Sequence, residues 1–234
     1  SKYFKVYAID QRNHGQSPHS DEMNYPAMRD DLEEFIQMHN LSKVSLLGHS
    51  MGGKTAMFYA LKNPDNVANL MVADMSPRSY GEVPEETPQY QLHCKMIKAM
   101  KKVDLSSVKS RNEVDDALAE DITLPRVRGF LMKNLQRNND QSFSWKINLN
   151  ALSNHLMDVL AGIDHTAYEK GQAVTAFPAL FLKGENSDYI QEQDEKIIHA
   201  IFPYAKLVTV KNAGHWLHAE QPEEFIKAVR NFIF

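Results

Sequence analysis

The sequence has one cysteine, no long apolar run and no strong excess of either charge, and each shortage removes a class of protein. Cys94 has no second cysteine to form an internal disulfide with, which fits a reducing compartment. No apolar run approaches the roughly 20 residues that a membrane-spanning helix needs, so we expect no membrane span. The formal net charge of −4 does not by itself favour nucleic acid or an anionic membrane surface, so we expect no nucleic-acid partner.

Metal chemistry lacks a sequence signature as well. The histidines, aspartates and glutamates show no ligand spacing such as His-Glu-x-x-His, so we expect neither a metal nor a cofactor.

Hydrophobic residues make up 43% of the 234 residues, which is enough for a sizeable core and excludes a disordered chain. The length predicts one large domain or a domain that carries an insertion.

The most informative stretch is a Gly-x-Ser-x-Gly pattern centred on Ser50. An apolar segment precedes it and a helix-compatible segment follows, an order typical of a nucleophile on a strained strand-to-helix turn, the nucleophile elbow. We call the turn at Ser50 the elbow and the helix that follows it the elbow helix. The turn needs small residues beside the serine, and Gly48 and Gly52 meet that need. We expect Ser50 to be the nucleophile and the backbone N–H of Met51 to be one oxyanion donor. The side chain of His49 is expected to point away from the serine and to be structural or to line the substrate pocket.

Strand and helix patterns alternate on both sides of a long helical block. Strands are expected at residues 4–9, 44–47, 67–73, 179–182 and 206–210. Helices are expected at residues 24–39, 51–61, 92–103, 113–119, 125–135, 152–160 and 194–201, and from residue 222 onward. This alternation predicts an α/β protein with a largely parallel sheet between helices. The block at 77–173 has only helical or irregular signals, apart from a short extended piece near residues 143–149. We interpret it as an inserted helical cap between core segments 1–76 and 174–234.

A serine hydroxyl needs a base, and histidine is the commonest one. His215 follows the last predicted strand and precedes the last helix, which is where a Ser, acid, His order along the chain puts the base. His218 is the alternative base, and Trp216 is a candidate for lining the substrate pocket. His14, in the loop after the first predicted strand, is interpreted as a residue that anchors that loop.

Two aspartates are candidates for the acid that orients the base. Asp74 ends the strand after the elbow helix, and Asp188 follows the strand after the cap. The second place is the commoner one in hydrolases, but the usual spacing there is Gly-x-x-Asp and this sequence has Ser187 at that position. Asp188 comes one residue late, so we favour Asp74 and keep Asp188 as the alternative acid.

The chain resembles the α/β-hydrolase family, and within it the YbfF-type esterases and the eukaryotic mitochondrial abhydrolase-domain proteins. The resemblance spans essentially the whole chain and is weakest in the cap. It rests on these stretches: Asp10-Gln11-Arg12-Asn13-His14-Gly15-Gln16-Ser17-Pro18-His19, Met23-Asn24-Tyr25-Pro26-Ala27-Met28, Gly48-His49-Ser50-Met51-Gly52-Gly53-Lys54, Gly184-Glu185-Asn186-Ser187 and Ala213-Gly214-His215-Trp216-Leu217-His218-Ala219.

The resemblance carries expectations of its own. It implies the α/β-hydrolase fold and places the acid on the strand after the elbow helix, at Asp74. Members of the family begin with two or three further strands and a His-Gly loop that supplies the second oxyanion donor, and this chain shows neither. We therefore expect an upstream segment to complete the sheet, and poor folding and little activity of the 234 residues alone. The expected location is cytoplasmic, or mitochondrial in a eukaryote.

Three functions are compatible with these residues. The first is a serine carboxylesterase for short-chain acyl esters or thioesters, with Ser50, Asp74 and His215 as its triad and a small-molecule substrate. The second is an alcohol acyltransferase that uses the same acyl-enzyme. The third is a partner-binding protein that keeps the fold without the chemistry. The sequence does not determine an oligomeric state.

Overall fold

The computed structural model describes residues 3–81, 87–169 and 171–234. Its elements, in chain order, are α1 (Tyr25–Met38), β1 (Val44–His49), α2 (Met51–Lys62), a 3₁₀ turn (Pro64–Asn66), β2 (Val67–Ala73), α3 (Pro88–Lys102), α4 (Arg111–Ala119), α5 (Pro125–Leu131), a second 3₁₀ turn (Met132–Asn134), β3 (Leu135–Arg137), β4 (Phe143–Trp145), α6 (Leu149–Asn154), α7 (Leu156–Leu160), α8 (Thr166–Glu169), β5 (Ala179–Gly184), α9 (Asp194–Ile201), β6 (Lys206–Val210), α10 (Leu217–Glu220) and α11 (Pro222–Ile233).

The chain forms two compact units. Unit 1 consists of residues 1–24 and 80–160, and unit 2 of residues 25–79 and 161–234. Unit 2 therefore holds the alternating strands and helices, and unit 1 holds α3 to α7 with the short β3–β4 hairpin. The predicted division into core segments 1–76 and 174–234 around a cap at 77–173 stays a prediction.

The sheet of unit 2 has the strand order β1-β2-β5-β6, and every neighbouring pair is parallel. His49 is paired with Ala73, and Ala73 with Leu182. The ends of β1 and β2 are thus level with each other, β5 runs two residues further to Gly184, and the loops that follow these strands leave the sheet at one edge. The predicted α/β-hydrolase fold with a largely parallel sheet is confirmed.

One face of the sheet packs on the C-terminal helix. Apolar side chains of β2, β5 and β6 are buried here together with Ala213 and Leu217, and residues of α11 lie partly buried against them. The residues of α11 that make this contact are Phe225, Ala228, Val229, Phe232 and Ile233. Burial of this kind stabilises a fold by about 25 cal/mol per Å² of apolar surface.

Unit 1 includes the Arg-Asn-His-Gly loop of the sequence. Asn13 is fully buried with a left-handed φ of 65°, and its side-chain oxygen accepts from Ser20 N at 2.8 Å and Asn148 Nδ2 at 3.1 Å. Asn148 N in turn donates to Asn13 O at 2.9 Å. His14 Nδ1 lies 3.0 Å from Arg12 O. In these contacts the loop residues hold the loop together and bind it to the start of α6.

The structure corrects three predicted elements. Residues 4–9 form no strand and are not buried: Phe4 is 39% and Val6 70% exposed, because no described strand pairs with them. The predicted helix at 125–135 ends at Leu131 and passes through a 3₁₀ turn into β3. The predicted helix at 152–160 is two helices that break at His155, whose ψ of 23° is not helical.

Two features are absent from residues 3–81, 87–169 and 171–234. No helix there is long and apolar enough to cross a membrane. No group of three or more histidine, cysteine, aspartate or glutamate side chains is placed to hold a metal ion within that part of the chain.

Candidate active site

The turn between β1 and α2 has the strained backbone that the sequence predicts. Ser50 has φ 54° and ψ −121°, a conformation that costs a residue with a side chain on the order of 1–3 kcal/mol. A Cβ on Gly48 would lie 2.2 Å from Gly52 O, and one on Gly53 would lie 3.0 Å from Gly48 O. The turn therefore depends on two close backbone approaches, of which sequence reasoning identified the one at Gly48 and missed the one at Gly53.

Ser50, His215 and Asp74 form a continuous hydrogen-bonded relay. Ser50 Oγ lies 3.0 Å from His215 Nε2, and His215 Nδ1 lies 2.8 Å from Asp74 Oδ2. A carboxylate only accepts hydrogen bonds, so the proton of the neutral imidazole is on Nδ1 and the lone pair on Nε2 faces the serine. This tautomer is the one that a general base needs.

The carboxylate of Asp74 is fully buried and has three donors. Asp74 follows β2 directly with a left-handed φ of 50°. Its Oδ1 accepts from Gly184 N at 2.9 Å, while its Oδ2 accepts from His215 Nδ1 and from the hydroxyl of Ser187. Because a buried carboxylate is costly unless its oxygens are hydrogen-bonded, these donors are what allow Asp74 to remain there.

Ser187 is the residue that sequence reasoning noticed but gave no role. It occupies the fourth position of Gly184-Glu185-Asn186-Ser187, where the usual acid of the fold would be. Its hydroxyl donates to Asp74 Oδ2, and Asp74 is the candidate acid from the neighbouring strand. The signal was present in the sequence, since a serine at the usual acid position places a hydroxyl donor on the loop beside the strand that leads to Asp74.

The alternative acid and the alternative base lie elsewhere in the site. Asp188 is exposed, and its recorded hydrogen bonds go through its carbonyl oxygen, to Arg78 Nη2 and Gln191 Nε2, both at 3.5 Å. The ring of His218 lies against that of His49, with centroids 4.6 Å apart. The geometry therefore favours Asp74 as the acid and His215 as the base.

His49 contacts both the backbone and the ring of the candidate base, His215. Its Nε2 donates to His215 O at 2.7 Å, and its ring centroid lies 4.7 Å from that of His215. Burial is the main cause that lowers the pKa of His49 to about 3, with a further contribution from the nearby His215. His49 is therefore neutral at physiological pH and holds the His215 backbone as a hydrogen-bond donor.

Two further residues hold His215, and sequence reasoning found neither. Tyr189 is buried and stacks on the imidazole, with ring centroids 3.8 Å apart at 16°. Burial, and then the charge of Asp74, raise the pKa of Tyr189 to about 12. Glu220 Oε2 accepts from Gly214 N at 2.7 Å and so fixes the residue before His215. No sequence pattern singled out either residue, because the fold brings the loop of Tyr189 and the end of α10 to His215.

Met51 and Trp216 are the residues that follow Ser50 and His215 in the chain. Met51 is the first residue of α2, and the first N–H groups of a helix have no acceptor within it. A developing negative charge beside Ser50 would therefore face unpaired donors at the positive end of a helix dipole. Trp216 follows His215, with ring centroids 6.2 Å apart.

The comparisons with known proteins agree on one family. The family model described as alpha/beta hydrolase fold matches residues 1–222. The sn-1-specific diacylglycerol lipase ABHD11 of Mus musculus is 37% identical over 98% of this chain and 71% of its own. The esterase YbfF of Escherichia coli is 29% identical over 97% of this chain and 82% of its own. The solved structure of a marine microorganism esterase is 46% identical, with a TM-score of 0.92 over 99% of this chain and 85% of its own.

The elbow glycine generates a first prediction. Gly48→Ala places a Cβ 2.2 Å from Gly52 O, so the backbone of the turn must move. We expect a loss of about 1–3 kcal/mol in unfolding free energy, measured by urea denaturation. Gly129→Ala is the control: nothing lies within 4 Å of its added Cβ, and an alanine there should stabilise α5 by up to about 1 kcal/mol. Equal stability of the two variants would contradict the close approach.

His49 generates a prediction for pH. Its folded pKa of about 3 lies below the ordinary value of 6.5, so as pH falls the unfolded chain binds the proton first. The stability linked to His49 is therefore present above pH about 6.5 and is lost progressively toward pH about 3. His49→Gln keeps an N–H donor without this titration, so between pH 7 and about 4 the wild type should lose more unfolding free energy than the variant. His199→Gln, on an exposed position of α9, is the matched control. Parallel stability curves for wild type and His49→Gln would refute the argument.

Ser187 generates a third prediction. Ser187→Ala removes one donor from the buried carboxylate of Asp74, and hydrogen bonds to charged groups are worth about 1.5–3 kcal/mol. We expect a decrease in kcat of about 10-fold or more, because the carboxylate that orients His215 is held less firmly. Ser142→Ala removes a similar bond from exposed Asp140 and should leave kcat unchanged. A kcat in Ser187→Ala equal to that of Ser142→Ala would show that the serine does not act on the relay.

Proposed function

The chain belongs to the α/β-hydrolase family, and from this premise we propose that it is a serine carboxylesterase that cleaves short-chain acyl esters or thioesters through an acyl-enzyme. Relatives of this chain bear the names of esterases and lipases. The observation that carries the proposal is the relay from Ser50 Oγ through His215 to Asp74, with steps of 3.0 and 2.8 Å.

The relay supports a two-step mechanism. Ser50 Oγ attacks the carbonyl carbon of the ester while His215 Nε2 takes the hydroxyl proton. The tetrahedral intermediate collapses as His215 gives this proton to the leaving alcohol or thiol, and the acyl group stays on Ser50. Water then attacks the acyl-enzyme with His215 again as base, which releases the carboxylic acid and restores the serine.

Two groups would stabilise charge during these steps. Asp74 stabilises the imidazolium that forms on His215, because its carboxylate is 2.8 Å from Nδ1 and does not exchange this contact for water. The N–H of Met51, at the start of α2, is in the position of a donor to the oxyanion. Loss of one such donor typically costs about 10²–10³ in rate.

The first test uses a fluorophosphonate probe, which labels an activated serine. The wild type should be labelled and should hydrolyse p-nitrophenyl acetate, while Ser50→Ala should lose both properties. An unlabelled, folded wild type would support instead the partner-binding protein without chemistry. Labelling that persists in Ser50→Ala would mean that another residue is the nucleophile.

The second test separates the two candidate acids. Asp74→Asn keeps the shape of the side chain but cannot stabilise the imidazolium, so kcat should fall by about 10⁴-fold. Asp188→Asn removes an exposed carboxylate and should leave kcat within about twofold. Steady-state kinetics on the same ester measures both. The opposite ranking would move the acid to Asp188.

The acyl group and its acceptor are tested together. We propose short acyl chains, so kcat/KM over a series of p-nitrophenyl esters should be highest for acetate to butyrate and fall for longer chains. Maximal activity on long chains or on a diacylglycerol would instead align this protein with the name of its mouse relative.

Addition of ethanol distinguishes hydrolysis from acyl transfer, because an acyltransferase would form the ethyl ester in preference to the free acid. The cytoplasmic or mitochondrial location stays a prediction.

A further inference from the structure

The lysine that ends the Gly-Gly-Lys part of the elbow has no role in the mechanism above. Lys54 is the fourth residue of α2, and its side chain is fully buried. Its Nζ donates to three main-chain carbonyls: Arg78 O at 2.6 Å, Ala161 O at 3.1 Å and Pro77 O at 3.3 Å. An ammonium has three N–H donors, so the three carbonyls match its full donor capacity.

The three carbonyls belong to two segments at which the chain leaves and re-enters unit 2. The chain departs after Ser79 and returns at Ala161. The two segments also contact each other directly: Ile163 N donates to Pro77 O at 2.8 Å, and a Cβ on Gly162 would lie 2.4 Å from Ser79 N. Lys54 therefore binds the elbow helix to both segments at the same point.

The first of these segments also carries the proposed acid. Only Met75 and Ser76 separate Asp74 from Pro77. Ser76 is buried, and its Oγ accepts from Arg78 N at 3.2 Å. The backbone from Asp74 to Arg78 is thus held at one end by the sheet, through Asp74 N to Leu182 O at 2.7 Å, and at the other end by Lys54.

Burying the ammonium of a lysine costs desolvation free energy that an apolar side chain of the same size does not. Burial, and then the neighbouring guanidinium of Arg78, lower the pKa of Lys54 to about 7, while the carboxylate of Asp194 opposes the shift. Asp194 is itself buried and pairs with Arg78 Nε at 3.0 Å. A methionine would fill the same space without this desolvation cost, so the ammonium is explained by the carbonyls that it binds.

We propose that Lys54 is a positioning residue that keeps the Asp74-bearing segment and the returning segment at 161–163 fixed to the elbow helix. The catalytic part of this inference rests on the proposed serine hydrolase function. The structural part, a shared attachment of two segments, does not. The two parts are therefore tested by different measurements.

The structural part is tested by amide hydrogen exchange, which reports local opening. Lys54→Met keeps the length of the side chain and removes the ammonium. Exchange should rise about 10-fold or more in both segments, 75–79 and 161–163, with little change in β5 and β6. Lys62→Met is the matched control, since the same substitution at the other end of α2 removes only exposed contacts with Asp30 and Glu33. Unchanged exchange in the two segments of Lys54→Met, or an equal rise throughout the protein, would overturn the proposal.

Lys54→Arg keeps the inference testable if Lys54→Met does not fold. A guanidinium also donates to carbonyls but differs in shape. The amides of the two segments should therefore exchange faster than in the wild type but keep part of their protection. A rise in Lys54→Arg that is equal throughout the protein, β5 and β6 included, would again contradict the attachment.

The catalytic part is tested by pH–rate profiles. A less firmly held Asp74 stabilises the imidazolium less, so Lys54→Met should lower kcat about 10-fold and move the acid limb of kcat/KM to lower pH. Lys54→Arg should recover part of both effects. If Lys54→Met raises exchange but leaves the acid limb of kcat/KM unchanged, Lys54 attaches the two segments without affecting Asp74, and the catalytic part of the proposal is wrong. If Ser50→Ala retained activity, the proposed function would fail while the exchange result would stand.

Discussion

The buried carboxylate of Asp74 is the constraint on which the rest of the site depends. It has no access to water, so its oxygens need protein donors, and it finds three of them on two segments of the chain. Gly184 N ends β5 and the hydroxyl of Ser187 lies in the turn that follows, while His215 comes from the turn after β6. With its oxygens hydrogen-bonded, the carboxylate fixes the orientation of the His215 ring. It also keeps the proton on Nδ1, so that Nε2 faces Ser50 without a proton.

Parallel pairing explains how these loops meet. His49 is level with Ala73 and Ala73 with Leu182, so Ser50 and Asp74 leave neighbouring strands at the same height. Both residues then have a left-handed φ, 54° and 50°. Each such conformation costs on the order of 1–3 kcal/mol, which the sheet and α2 offset by packing on both sides of the turn. At these two positions the strained backbone aims the side chains of Ser50 and Asp74 toward His215.

Sequence reasoning succeeded where local pattern and global fold agree. The limits of β2, α9 and β6 follow from their apolar patterns, and the elbow follows from the glycine that a close backbone approach demands at Gly48. The same reasoning was wrong for residues 4–9, because an apolar run becomes a strand only when a neighbouring strand takes up its backbone hydrogen bonds. It was also wrong at His155 and Leu131, where helices end at positions that their composition does not mark.

Two of the residues whose roles sequence reasoning missed, Lys54 and Glu220, bind main-chain groups. Ser50, His215 and Asp74 bind one another through side chains, and side-chain chemistry can be read from residue type and order. Lys54 binds three carbonyls and Glu220 binds an N–H, and every residue but proline offers both of these main-chain groups, so no residue type identifies the partner. A buried charge that depends on main-chain partners is therefore specified by the path of the backbone. For this reason the relay was predictable from the sequence, whereas the groups that hold it in place became apparent only in the fold.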